Sequence, residues 1–254
     1  MNNPSGILQE ALERAISPQY QCLQTTPDVE KQIESVCICV NNRAAVRLVM
    51  ACLLANADDP NNNPTKPYTK IGSDDCFSGR AYDEKYLSQF ITNNNLPCNS
   101  TTAFLTPALR NIDQPLSMDI QIVGRPQQIY SDAISLLHAV QNKKIDALDL
   151  LVEIVHRLTI IRNKKQESLA KKLEGLQNHS DEFVLSSEDT INLVNQHLAC
   201  KHSSRLPVLI IAAAYNAAHD SIGETIKPLL SHNAADKQTG SMGDVEICLL
   251  EIIK

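Results

Sequence analysis

The sequence contains no tryptophan, only 8 glycines in 254 residues, and 4% aromatic residues. A β-sandwich or propeller needs glycine-rich turns and aromatic or β-branched strands, so these scarcities argue against that class. No apolar run reaches the roughly 18 residues of a membrane-spanning helix. The N-terminus, MNNPSGILQEALERAI, places acids among its apolar residues and lacks the uninterrupted core of a secretion signal. The sequence therefore predicts a cytoplasmic protein with no membrane partner. With 43% hydrophobic and 20% charged residues it reads as a globular, mostly helical chain, long enough for a real core.

The net charge of −6 makes general nucleic-acid affinity a poor first guess, but the charge is unevenly placed. Residues 1–60 carry 4 bases and 7 acids, residues 61–130 carry 6 and 6, residues 131–180 carry 8 and 6, and residues 181–254 carry 5 and 10. A neutral-to-basic middle beside an acidic end suits an enzyme that grips an anion and gathers carboxylates for a metal. It equally suits ordinary solvated helix faces. The 8 cysteines are even in number, yet a long chain without a secretion signal predicts reduced thiols. Cys37-x-Cys39 and Cys200-x-His202 are spaced too closely for a common zinc knuckle.

Periodicity predicts helices over 5–16, over 29–56 with a break near Asn41 and Asn42, over 127–142, 145–177, 187–199 and 206–222. Asp58 to Pro64 stops the second region. Between 64 and 126 the pattern fails. This segment holds 6 of the 12 prolines and Tyr68, Phe77, Tyr82, Tyr86, Phe90 and Phe104, with one helix expected from about Asp83 to Thr92 and another after Asn99 or Ser100. Long irregular segments in helical proteins commonly carry function. The 206–222 helix is apolar nearly all round and reads as buried. Strands are expected over 225–231 and 244–253.

In the last strand, Asp244 and Glu246 share one face, because residues two apart do. Two carboxylates so placed can hold a hard cation such as magnesium, which serves phosphodiester hydrolysis. An acidic pair at a strand start is also a plain solvent-facing edge. The order of buried helix, strand, turn and acidic strand resembles the opening of the PD-(D/E)XK nuclease core.

Longer segments carry a more specific likeness. Lys66-Pro67-Tyr68-Thr69, Phe77 to Tyr86 (FSGRAYDEKY), Leu96 to Asn111 (LPCNSTTAFLTPALRN), Arg205-Leu206-Pro207-Val208, and His232 to Gly240 (HNAADKQTG) with Gly243 to Ile247 resemble the SacI family of type II restriction endonucleases. The likeness spans roughly residues 40–250. It implies an α+β but mostly α protein, with a helical DNA-recognition region over 1–200 and the beginning of a nuclease core over 201–254. It implies a homodimer that cuts double-stranded DNA at a short palindrome with Mg2+, paired with a cognate DNA methyltransferase. Asp244 and Glu246 take the catalytic and metal-binding positions. The family's (D/E)-x-K element does not follow Asp244. Glu251-Ile-Ile-Lys254 has one residue too many, and an uninterrupted strand would carry Lys254 about 33 Å from Asp244. The expectation is therefore a fragment or a shortened copy, with doubtful cutting activity.

For recognition, arginine reads guanine and asparagine reads adenine in the major groove. Arg80, Asn99, Arg110 and Arg125 are the base-reading candidates, with Thr101, Thr102 and Tyr82 for phosphate or base contacts and Lys66 for phosphate. Each has a bland alternative: Arg80 can pair with Asp83 to hold a loop, and Asn99 and Thr101 can cap a helix. The competing reading of the whole chain is a catalytically inactive helical DNA-binding or protein-interaction module.

Overall fold

The fold was taken from a computed structural model that describes residues 3–124, 126–179, 186–199, 206–222, 224–227, 229 and 245–249. The chain is mostly helical and divides into two compact units, Met1–Glu174 and Gly175–Lys254. The division falls at residue 174, ahead of the change of region that the sequence suggests at 200.

In the first unit, α1 (Pro4–Ile16) starts where Asn3 Oδ1 accepts the Ser5 N–H at 3.1 Å, with Pro4 supplying a pre-set φ at the first position. It buries Ile7, Leu8, Ala11 and Ala15; of the apolar side that helical spacing predicts, Ile7, Leu8, Leu12, Ala15 and Ile16, Leu12 is half-buried and Ile16 is exposed. Helix α2 (Pro27–Ile38) also opens on proline, with Asp28 and Glu30 favoured in its positive first turn. The break expected near Asn41 and Asn42 separates it from α3 (Ala44–Asp58), where Asn42 Oδ1 accepts the Ala45 N–H. Helix α3 is the axis of this unit: every residue from Ala44 to Ala55 is buried. Burying Leu48, Leu53 and Leu54 stabilises the fold by about 1.5–3 kcal/mol each. Helices α1, α2 and α6 (Gln127–Gln141) pack against it.

Helix α7 (Ala147–His179) buries Leu150, Leu151, Ile154, Val155 and Leu158 in its first turns. Its Glu153 ties down the α1–α2 connection, accepting from the Tyr20 hydroxyl, from the Leu23 N–H at 3.0 Å and from Arg157 Nε at 2.6 Å. Burial works against the charge of Glu153, but these donors hold its carboxyl below the ordinary range. Tyr20 stacks on His156 at 3.7 Å.

The second unit contains α8 (Ser187–Leu198), α9 (Leu206–Ile222) and an antiparallel pair, β1 (Glu224–Ile226) with β2 (Ile247–Leu249). Ser186 and Asp189 form a capping box that fixes the start of α8. Helix α9 packs on β1 and α8. The sequence reading of α9 as buried is corrected: none of its residues of described exposure is buried, and Leu209 and Ile211 are 44% and 46% exposed. Among the described residues, the strand pair and α8 do not cover all sides of this apolar helix.

Candidate functional site

The central segment is irregular in hydrogen bonding yet densely anchored on α3. Its organiser is Arg47, the one charged side chain in the apolar face of α3, and it is 1% exposed. Arg47 Nε donates to Asp83 Oδ1 at 2.6 Å, Nη1 to the Asn99 carbonyl at 2.5 Å and Nη2 to Ser88 Oγ at 2.5 Å. Asp83 Oδ2 accepts from Thr102 Oγ1 at 2.7 Å and from the Ala103 N–H at 2.9 Å. A buried ion pair survives only when its remaining donors and acceptors are satisfied, as they are here. It clamps the helical stretch after Gly79 to the loop that begins at Asn99.

This burial changes the local helix expected from Asp83. The carboxylate that would cap it is drawn inward to Arg47. Helix α4 (Gly79–Tyr82) instead begins at Ser78, whose side chain accepts the Ala81 N–H. A π-helical turn, Asp83–Leu87, then leads into α5 (Ser88–Asn93). The helix expected after Asn99 or Ser100 is corrected to a single 3-10 turn, Ala103–Leu105. Pro107 lacks an N–H and holds Thr106 extended, which prevents continuation.

The three N-terminal segments of the family resemblance meet at Gly79. The Gly79 N–H donates to the Pro67 carbonyl at 3.0 Å, and the Phe77 N–H donates to Lys66 O at 3.2 Å. A Cβ on Gly79 would lie 2.9 Å from Pro67 Cβ and closer still to the Phe104 ring. Only glycine leaves room for the Phe104 ring and the Pro67 side chain here. Tyr68 packs edge-on against Phe104 at 5.8 Å.

The candidate side chains take distinct positions around this junction. Arg80 is exposed and pairs with Glu84 at 2.8 Å, not with Asp83. Arg110 is exposed, and no ion pair to it occurs among the described residues. Asn99 Nδ2 donates to Thr101 Oγ1 at 3.1 Å, at the surface, and neither caps a helix by a side-chain bond. Lys66 is held by both oxygens of Asp75 at 2.8 Å, and Lys66, Ser73 and Asn63 keep the Asp75 carboxyl well below its ordinary range. The Tyr82 hydroxyl donates to Asp58 at 2.8 Å; burial, then this carboxylate, push its ionisation upward. Thr102 is buried with its hydroxyl on Asp83, so it supports the loop from within. Arg125 lies outside the described residues.

Sequence reasoning missed Arg47 and gave Asp83 only local roles, at a helix start or beside Arg80; together the two position the rest. The signal was available: a single arginine in AAVRLVMACLLANA requires a buried acid.

At the acidic strand, Glu246 Oε2 accepts from Lys227 Nζ at 2.7 Å, and the Glu246 carbonyl accepts the Lys227 N–H at 3.0 Å. The carboxylate raises the ionisation of Lys227. Asp244 lies outside the described residues. Among the described residues no group of three His, Cys, Asp or Glu side chains is close enough to hold a metal ion. Cys22, Cys37, Cys39, Cys52, Cys76 and Cys98 are free thiols; burial pushes those of Cys37 and Cys98 up to about 12. No helix among the described residues is long and apolar enough to cross a membrane. Compared with known families and curated proteins, the chain matches no family model and no curated protein.

Proposed function

We propose that this chain recognises double-stranded DNA through its central segment, as a protein of the SacI restriction-endonuclease kind. The observation that supports this reading is the convergence of residues 66–69, 77–86 and 96–111 on Gly79, locked to α3 by Arg47 and Asp83. A rigid, buried scaffold beneath exposed arginine and threonine and a half-buried asparagine is what base and phosphate contacts require. In this reading Arg80, Asn99 and Arg110 face base edges, and Thr101 meets phosphate. A homodimer matches a palindromic site, because two-fold symmetry in the protein mirrors that in the DNA. Hydrolysis of the phosphodiester belongs to Asp244 and Glu246 with Mg2+.

A second reading is favoured by the Lys227–Glu246 pair. A glutamate that already shares an oxygen with a lysine is the plain edge of a strand in a binding module that does not cut DNA.

Incubation of the full chain with mixed-sequence duplex DNA and magnesium separates the two. Discrete bands, lost in Glu246→Ala, support the nuclease. Retained duplex with sequence-selective binding supports the binding module. Absence of binding overturns the DNA reading.

A further inference from the structure

The distal part of α7 is an exposed, cationic surface of the first unit. Up to Leu158 the helix is core. From Asn163 to Lys171 every residue is exposed. Residues 162–171 carry four bases, Arg162, Lys164, Lys165 and Lys171, against the single acid Glu167. Among the described residues no ion pair engages Lys164, Lys165 or Lys171, although the same unit pairs Lys66 and Arg80 elsewhere. Lys164 and Lys171 lie seven residues apart on one face, about 10 Å along the axis at ~1.5 Å per residue. With Glu167 and Ser168 between them they line a shallow depression.

This basic end is fixed to the candidate interface. Arg162 Nη1 donates to the Asn94 carbonyl at 2.8 Å. Asn94 ends α5 and immediately precedes the loop that carries Asn99 and Thr101. The lysines therefore continue outward from the margin of the central segment. Glu167 is the one acid within a turn of both Lys164 and Lys171, so these solvated lysines keep a net positive charge among the described residues. A polyanion neutralises that charge and releases counterions.

We propose that the exposed end of α7 is a second DNA-contacting element, in which Lys164, Lys165 and Lys171 lie along the phosphate backbone flanking the duplex held by the central segment. The inference rests on the DNA reading above. These lysines supply affinity and orientation and carry no sequence information.

The test is the salt dependence of duplex binding by the full chain, measured by fluorescence anisotropy on one labelled duplex. The variant K164Q/K165Q/K171Q keeps good helix formers at exposed positions. Its charge-matched control, K31Q/K143Q/K144Q, removes three exposed lysines, two of which sit just before the opposite end of α7. Each phosphate contact contributes about 0.9 to the slope of log K against log salt. The α7 variant should lower the magnitude of that slope by about 2 to 3 and leave base preference unchanged, while the control leaves the slope within about 0.5 of the parent. Duplex binding with an unchanged slope in the α7 variant overturns this inference and leaves the central segment's role intact. A slope shift in the control alone also overturns it. Absence of binding by the parent overturns the DNA reading and the inference with it.

Discussion

The two units contain ion pairs of similar length in opposite environments. In the first, Arg47 and Asp83 meet at 2.6 Å with both side chains almost wholly excluded from solvent. In the second, Lys227 and Glu246 meet at 2.7 Å with the lysine 57% exposed. Solvent decides what each does. Out of water the first pair must satisfy all its hydrogen-bonding groups, and in doing so it gathers Ser88, Asn99, Thr102 and Ala103 into one arrangement. The second, partly in water, ties the residue that leaves β1 to the residue that enters β2, and screening makes it weak. The first pair thereby holds side chains still, which the second, at an exposed lysine, does not.

The comparison breaks most readily at Asp83. Asp83→Ala leaves Arg47 buried without its counter-charge and should destabilise the first unit by about 3–5 kcal/mol, read as a fall in the denaturant midpoint. Arg47→Met/Asp83→Leu should recover much of that loss, since apolar replacement of both partners removes the stranded charge. Gly79→Ala is the next largest effect. Its methyl group drives into Phe104 and Pro67, at a cost of about 1–3 kcal/mol, and should weaken duplex binding along with stability. Arg110→Ala should leave stability unchanged, cost about 1–3 kcal/mol of duplex affinity and relax preference at one base pair, measured by competition with single-base variants.

Glu153 provides a pH test within the first unit. Its folded ionisation lies below the ordinary carboxylate value of 4.5, so its stabilisation is fully present above that value. The contribution is lost as pH falls through the folded value. The stability gap between the parent and Glu153→Gln, measured by urea unfolding, should be widest near neutrality and close on acidification. The smallest effect belongs to the second unit: Lys227→Ala should leave the unfolding midpoint unmoved.

The helices were legible because their causes are local. Asn3 and Pro4, Pro27, the Asn41–Asn42 break and the Asp58-to-Pro64 stop all sit within a turn of the boundaries they set. The apolar spacing of Ile7, Leu8 and Ala11 and of Leu151, Val155 and Leu158 marks the buried faces directly. The central segment was legible only as an exception to periodicity. Its geometry comes from Asp83 meeting Arg47 across 36 residues, and no window of local sequence contains both. The same non-locality moved Thr102 from the candidate interface into its support. The α9 reading failed for another reason: composition reports what a helix would bury, and burial depends on what surrounds it. Recognition candidates such as Arg80 and Arg110 were legible by residue type, while their partners, or lack of them, were visible only in three dimensions.

Selection of bound duplexes from a random-sequence pool tests the central claim most directly, with the parent chain and Arg110→Ala compared in parallel. The account predicts that the parent enriches a short palindrome and that Arg110→Ala still binds but loses preference at one position of it. A pool that emerges without any enriched sequence contradicts the account.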